Sequence, residues 1–433
     1  MCGMRTPSSS RGWQIPLCGV ARWVALFGAS SALAEAGFFV RDGDRIVVVG
    51  DSITVEGHYV RYLDNFLRTR FPTWTLAVRN SGTNGQVAQR ALAAFDTDVF
   101  AWRPTVAIVN FGMNDGRRAG GAEFYRSGIV PYVERLQGAG LRVVLCSNSP
   151  LDLGDAPGAF TDYNRTFAEM AAFSAGFARE RGLAFVDQFN FCHRVWGENR
   201  RRAEPIPVSH QTTVPYPSDF VHARGPGQTT MAYIILKSLG APAEVGWAEL
   251  DFATGAARGR RSRIADFRRS SDGSTLTFTR TDEASPCWID DRAPFPGSLG
   301  LELVPFTEEL NRLPLHVRGL VAGRYELAID DVRLGVFTAQ QFADGVNLAA
   351  DLRSPVYAPG RRVDAAIRRQ TSTTKAAREV AFLQPPSWLK VPDLAAQRER
   401  EWQRRVAEVD TLDAVIQAAA MPAPYTCRLT RLP

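Results

Sequence analysis

The chain has 433 residues, 45% of them hydrophobic and 22% charged, which excludes a disordered or fibrous protein and leaves room for one large core plus a second module. Its formal charge of +6 is carried by arginine, since lysine occurs only at Lys237, Lys375 and Lys390. The arginines are interleaved with acids, and the densest cluster (Arg258, Arg260, Arg261 and Arg263) is short, so the charge reads as solvated surface or a crossing between modules and argues against nucleic-acid binding.

In chain order, the first 34 residues read as an export signal. Arg5, Arg11 and Arg22 precede an apolar stretch from Trp23 to Leu33, and Ala32-Leu33-Ala34 offers a small-x-small cleavage site near Ala34. The expected location is therefore periplasmic or extracellular. No later stretch reaches the roughly 18 continuous apolar residues of a membrane span. Two of the six cysteines, Cys2 and Cys18, would leave with the signal. Cys146 reads as a small buried hydrophobe, and a Cys287–Cys427 disulfide is compatible with export. No Cys/His spacing suggests zinc, and no metal or other cofactor is expected.

Strand-like runs follow at Arg45–Val49, Thr75–Arg79, Thr105–Asn110, Arg142–Ser147 and Ala184–Val186. Between them, Val60, Leu63, Phe66 and Leu67 share one helical face, and further helices are expected over Glu123–Gln137, Asp162–Arg181 and Gly227–Leu239. The strands are continuous apolar runs, the mark of a sheet covered on both faces. This alternation predicts a three-layer, flavodoxin-like α/β/α domain with a five-stranded parallel sheet over 38–245. After Gly240, turn signals such as Ser271-Asp272-Gly273-Ser274 flank short strands, giving a smaller β-rich module over 246–350. The 351–433 extension reads as mostly helical, with Trp402, Val406, Val409, Leu412 and Ile416 as a core stripe.

Four short motifs fall at the expected carboxyl ends of the strands, where sites of such sheets form. They are Gly50-Asp51-Ser52-Ile53, Asn80-Ser81-Gly82-Thr83-Asn84-Gly85, Gly112-Met113-Asn114-Asp115 and Asp219-Phe220-Val221-His222. Each is a common turn by itself; in this order they resemble the SGNH/GDSL hydrolases over about Arg45 to Gly240. The resemblance implies Ser52 as nucleophile, His222 as base and Asp219 as its orienting acid. It implies an oxyanion hole from the backbone N–H groups of Ser52 and Gly85 and the side-chain amide of Asn114. Gly85 is preferred to Gly82 because the family's glycine sits five residues beyond an asparagine such as Asn80. The chemistry agrees: a serine hydroxyl needs an imidazole to take its proton, and the oxyanion needs preorganised donors. An acid three residues before the histidine reaches its ring from the same loop.

Asp51 and Asp115 are expected to hold the turns that carry Ser52 and Asn114. His58 is a candidate for the rim of the site and His210 for a substrate contact, while His193 and His316 read as structural. Phe220, and Ala223-Arg224 after the histidine, depart from the family's usual pattern, with Arg224 read as a surface residue. The segment "RGLVAGRYELAIDDVRLGVFTAQQFADGVNLA" resembles a region that follows the esterase core in bacterial exported hydrolases.

The reading is an exported serine esterase acting through an acyl-enzyme on small-molecule or polysaccharide esters, with O-acetyl or short acyl groups on carbohydrate favoured. Trp102, Trp196 and Tyr216 are candidates for stacking on sugar, with core packing the stronger reading. The alternatives are a lipase, lysophospholipase or thioesterase, and, from another class, a non-catalytic carbohydrate-binding or surface-assembly module. A nucleotide-binding protein fits poorly, because the turn after the first strand has one glycine and an acid that would repel phosphate.

Overall fold

The computed structural model describes residues 37–151, 159–203, 219–292, 294–382, 384–386 and 388–433. The export-signal segment with Cys2 and Cys18, and also His210 and Tyr216, lie outside the described residues.

Five strands, β1 (Arg45–Gly50), β2 (Ala77–Gly82), β3 (Val106–Asn110), β4 (Arg142–Cys146) and β5 (Ala184–Val186), form one sheet in the order β2-β1-β3-β4-β5. Every neighbouring pair runs parallel. The central strand explains the continuous apolar runs: Val47, Val48 and Val49 are all buried, since helices cover both faces. Full burial of each such side chain contributes roughly 1.5–3 kcal/mol. The helices that matter here are α1 (Ser52–Glu56), α2 (His58–Arg70), α3 (Gly121–Gly138), α4 (Ala159–Arg181), α5 (Gln188–Ala203) and α6 (Gly225–Ser238). This is the flavodoxin-like α/β architecture expected from the alternation of patterns.

Two further sheets follow. Strands β6 (Trp247–Asp251), β7 (Ala257–Arg260), β10 (Pro314–Arg318) and β13 (Val346–Asn347) form one, in the order β13-β10-β6-β7. The other is ordered β12-β11-β14-β9-β8, from β8 (Ser262–Arg269), β9 (Thr275–Asp282), β11 (Arg324–Ile329), β12 (Val332–Thr338) and β14 (Tyr425–Arg431). The C-terminal helices α7 (Ala358–Phe382) and α8 (Leu394–Ala420) pack on each other and on α2. The α8 stripe is core as expected, with Trp402, Val409, Leu412 and Ile416 buried and Trp402 edge-on to Trp102 at 5.6 Å.

The structure differs from the sequence expectation in three places. First, the C-terminal segment ends in strand β14, which inserts between β9 and β11 of the β-rich module. Second, α2 is buried on its polar face as well as its apolar one. That polar face is met by ions from α7, α8 and the β-rich module. Arg61 pairs with Asp364 and, at 2.7 Å, with Asp290, and Arg68 reaches Asp413 at 2.8 Å. Asp413 also takes Arg79 at 2.6 Å; burial works to raise its carboxyl, but these guanidiniums outweigh that and hold it below its ordinary value. Third, all four described cysteines are free. Cys287 lies in the core shared with the parallel sheet and Cys427 in the separate core of the β-rich module, so they do not pair. Burial pushes the Cys146 thiol up to about 12, as befits an inert core residue.

Three arginines of the 258–263 cluster are engaged within the protein. Arg258 and Arg260 pair with Glu249 and Glu244, and Arg261 donates to the Arg70 carbonyl at 2.8 Å.

Candidate active site

The site is assembled at the carboxyl edge of the parallel sheet. β1 stops at Gly50 because the chain behind it leaves no room: a Cβ there would lie 2.1 Å from Thr54 Oγ1 and 2.7 Å from the Asn110 carbonyl. Asp51 then caps α1, accepting a hydrogen bond from the Ile53 N–H at 3.0 Å. Ser52 is therefore the first residue of α1, a position whose N–H has no carbonyl within the helix to donate to.

Ser52 Oγ lies 2.9 Å from His222 Nε2, and His222 Nδ1 lies 3.0 Å from Asp219 Oδ2. The loop before α6 holds this arrangement through its own backbone. Asp219 Oδ1 accepts from the N–H groups of Val221 at 2.8 Å and His222 at 2.6 Å. Burial works to raise the Asp219 carboxyl, but the His222 and Val221 N–H groups and the His222 ring outweigh it and hold it below its ordinary value. An ionised Asp219 fixes the tautomer with the proton on Nδ1, leaving Nε2 to accept from the serine hydroxyl.

Gly85 and Asn114 come from the next two strand ends. Gly85 follows β2 in an exposed turn at φ +65°, a left-handed conformation that favours glycine. Asn114 follows β3, and its amide donates to the Gln86 carbonyl at 3.1 Å, tying the two loops together. An asparagine amide carries two hydrogens, so this bond leaves a second donor. Asp115 is fully buried and accepts from the Ala88 N–H at 3.0 Å, which secures the segment after Gly85, while its own N–H and that of Gly112 also hold its carboxyl within the Asn114 turn.

Burial pushes the Asp51 carboxyl up to about 7; the Ile53 N–H opposes this, the like charge of Asp115 adds to it, and His222 opposes it. A carboxyl raised in the folded state lends stability that is full below the unfolded value near pH 4 and lost as pH rises through about 7. Asp51→Asn keeps an acceptor for Ile53 but cannot ionise. Its melting temperature relative to wild type should therefore climb between pH 4 and pH 8, by an amount equivalent to a few kcal/mol. A difference that stays flat across that range would contradict this account.

Glu56, not singled out from the sequence, stands beside His222 together with Arg224. Glu56, one turn beyond Ser52 on α1, pairs with Arg224 and accepts from Gln228 at 3.2 Å. Its carboxyl is raised by burial, against the pull of Arg224 and His222. The i, i+4 spacing from Ser52 was the available signal. Arg224 is half-buried instead of a surface residue, and its guanidinium also lies 3.8 Å from Asp219. His58 takes a bond from Arg61 at 2.9 Å, and burial followed by the Arg61 charge pulls it down to about 4. Trp102 and Trp196 are buried, so both are core residues. His193 stacks on Phe189, and His316 lies against the Ala343 carbonyl. Among the described residues no group of three or more His, Cys, Asp or Glu could hold a metal ion.

A serine, an imidazole and a carboxylate are thus hydrogen-bonded in series at the edge of the parallel sheet, an arrangement able to take the proton from a serine hydroxyl. Residues 48–211 match the model of the GDSL-like lipase/acylhydrolase family. The match ends before Asp219 and His222, which rest on the geometry above. No curated protein matches the chain. Among solved structures, a gut microbial diltiazem-metabolizing enzyme is 24% identical, with 91% of this chain and 98% of that one covered at a TM-score of 0.76. That likeness establishes the fold across the α/β domain and the modules that follow it. A catalytic mutant of an acetylxylan esterase from Geobacillus stearothermophilus is 18% identical over 47% of this chain and 96% of that one, at a TM-score of 0.39. An α/β hydrolase enzyme from the metagenome of Lake Arreo, Spain, is 22% identical over 47% of this chain and 98% of that one, at 0.38.

Proposed function

We propose that this protein is an exported serine esterase that cleaves O-acetyl or other short acyl esters on carbohydrate through an acyl-enzyme. The observation that carries the reading is the series Ser52–His222–Asp219, at 2.9 and 3.0 Å. In this mechanism Ser52 Oγ attacks the ester carbonyl carbon while His222 Nε2 takes its proton. The carbonyl oxygen becomes an oxyanion, met by the N–H groups of Ser52 and Gly85 and the second amide hydrogen of Asn114. Collapse expels the alcohol, which receives the proton from His222. Water, deprotonated by the same ring, then frees the acid and restores Ser52.

The polar surroundings of His222 favour a short acyl group on a polar alcohol. Glu56, Arg224 and Gln228 form a hydrogen-bonded set beside it, which would leave charged groups without water against a long alkyl chain. The export pattern of residues 1–34 supports an extracytoplasmic substrate, and the site calls on no metal or cofactor.

The test is turnover of p-nitrophenyl acetate against the butyrate, octanoate and palmitate esters, followed by release of acetate from acetylated xylo-oligosaccharides. Preference for acetate and release from the oligosaccharide are expected. A steep preference for octanoate or palmitate would replace this reading with a lipase, and absence of turnover on every ester would leave a binding module.

A further inference from the structure

The loop that carries Gly85 is gripped from outside the α/β domain. Near the end of α7, Arg378 is 9% exposed and sends its guanidinium into the end of β2. Nη1 donates to the Gly82 carbonyl at 2.5 Å, and Nη2 donates to the Thr83 hydroxyl at 2.7 Å. The Asp98 carboxylate anchors the same guanidinium, 3.1 Å from Nε and 2.7 Å from Nη2. Thr83 is the node of this loop: its N–H donates to the Gly50 carbonyl at 3.0 Å, and its carbonyl accepts from Gln86 at 3.2 Å. Gly50 precedes the Asp51–Ser52 turn, and Gln86 is the residue to which Asn114 is tied.

We infer that Arg378 is a positioning residue of the active site. From the C-terminal helix it fixes the Gly82–Thr83 backbone, and so the direction in which the Gly85 N–H meets the oxyanion. An arginine serving stability alone would need only Asp98; here two donors end on the loop itself. The planar fork of arginine satisfies the carboxylate, the carbonyl and the hydroxyl at once, which a lysine ammonium on a flexible stem does not. Oxyanion donors act because they are already in place, and displacing one by about 1 Å costs on the order of a hundredfold in rate. The C-terminal helices are thereby part of the catalytic unit. This inference rests on the serine-esterase reading of the site.

The test uses Arg378→Lys and Thr83→Val in the full chain, with active serines counted by a fluorophosphonate and p-nitrophenyl acetate as substrate. For Arg378→Lys, kcat per labelled serine should fall about tenfold to a hundredfold with KM within about twofold. Inhibition by phenylboronic acid, whose tetrahedral adduct carries the same negative oxygen, should weaken in parallel. Thr83→Val, which removes one acceptor and no charge, should fall about threefold to tenfold on the same readouts. Wild-type kcat per labelled serine and wild-type boronate inhibition in the folded variants would overturn the inference. If Arg378→Lys does not fold, Thr83→Val decides alone. Ser52→Ala separates the two claims: turnover surviving there removes the serine-esterase reading, whereas an inactive Ser52→Ala beside unaffected Arg378→Lys and Thr83→Val removes only the role of Arg378.

Discussion

His222→Ala is expected to lower kcat/KM for p-nitrophenyl acetate by about six orders of magnitude, while Asp219→Ala should retain about a hundredfold more activity than His222→Ala. The asymmetry follows from what each group does. Without the imidazole, no other group among the described residues is placed to take the proton of Ser52 Oγ, and the hydroxyl stays a poor nucleophile. Without Asp219 the ring keeps its place beside Ser52, and because the Asp219 side chain is 35% exposed, water can reach Nδ1 in its stead. Circular dichroism spectra matching wild type would show that neither change acts by unfolding. Equal loss in the two variants would mean that Asp219 does more than orient and neutralise the ring.

Asn114→Ala is expected to reduce kcat by about 10²–10³-fold with KM little changed, because the lost donor acts on charge that exists only in the transition state. The variant also breaks the bond to the Gln86 carbonyl, so part of the loss comes from the Gly85 loop. Asn114→Asp sharpens the measurement: it keeps the size but replaces a donor with a charge that opposes an oxyanion, and it should be at least as inactive. A rise in KM with kcat intact in Asn114→Ala would assign the residue to ground-state binding instead.

The parts of this site that were legible in the sequence are local. Strand ends announce themselves where an apolar run meets a turn-forming triplet, as at Val49-Gly50-Asp51-Ser52. Asp219 and His222 are three residues apart and hydrogen-bond within their own loop. What escaped notice depends on chain segments far apart. The burial of the polar face of α2 has no local signal, because its partners, Asp290, Asp364 and Asp413, belong to elements more than 200 residues away. Strand β14 is missed because its hydrogen-bonding partners are two strands from different hairpins. Arg378 is one arginine among many in a basic helix, and its contact with Gly82 spans 296 residues. Nothing in the local pattern distinguishes it from the exposed arginines around it.

The central claim is that Ser52 is the nucleophile, and covalent trapping tests it most directly. The protein is treated with a fluorophosphonate at neutral pH, digested and mapped by mass spectrometry, with Ser52→Ala alongside. The account predicts one phosphonyl adduct, on Ser52, formed as activity disappears, and neither labelling nor turnover in Ser52→Ala. An adduct on another residue, or ester hydrolysis that persists in Ser52→Ala, would contradict it.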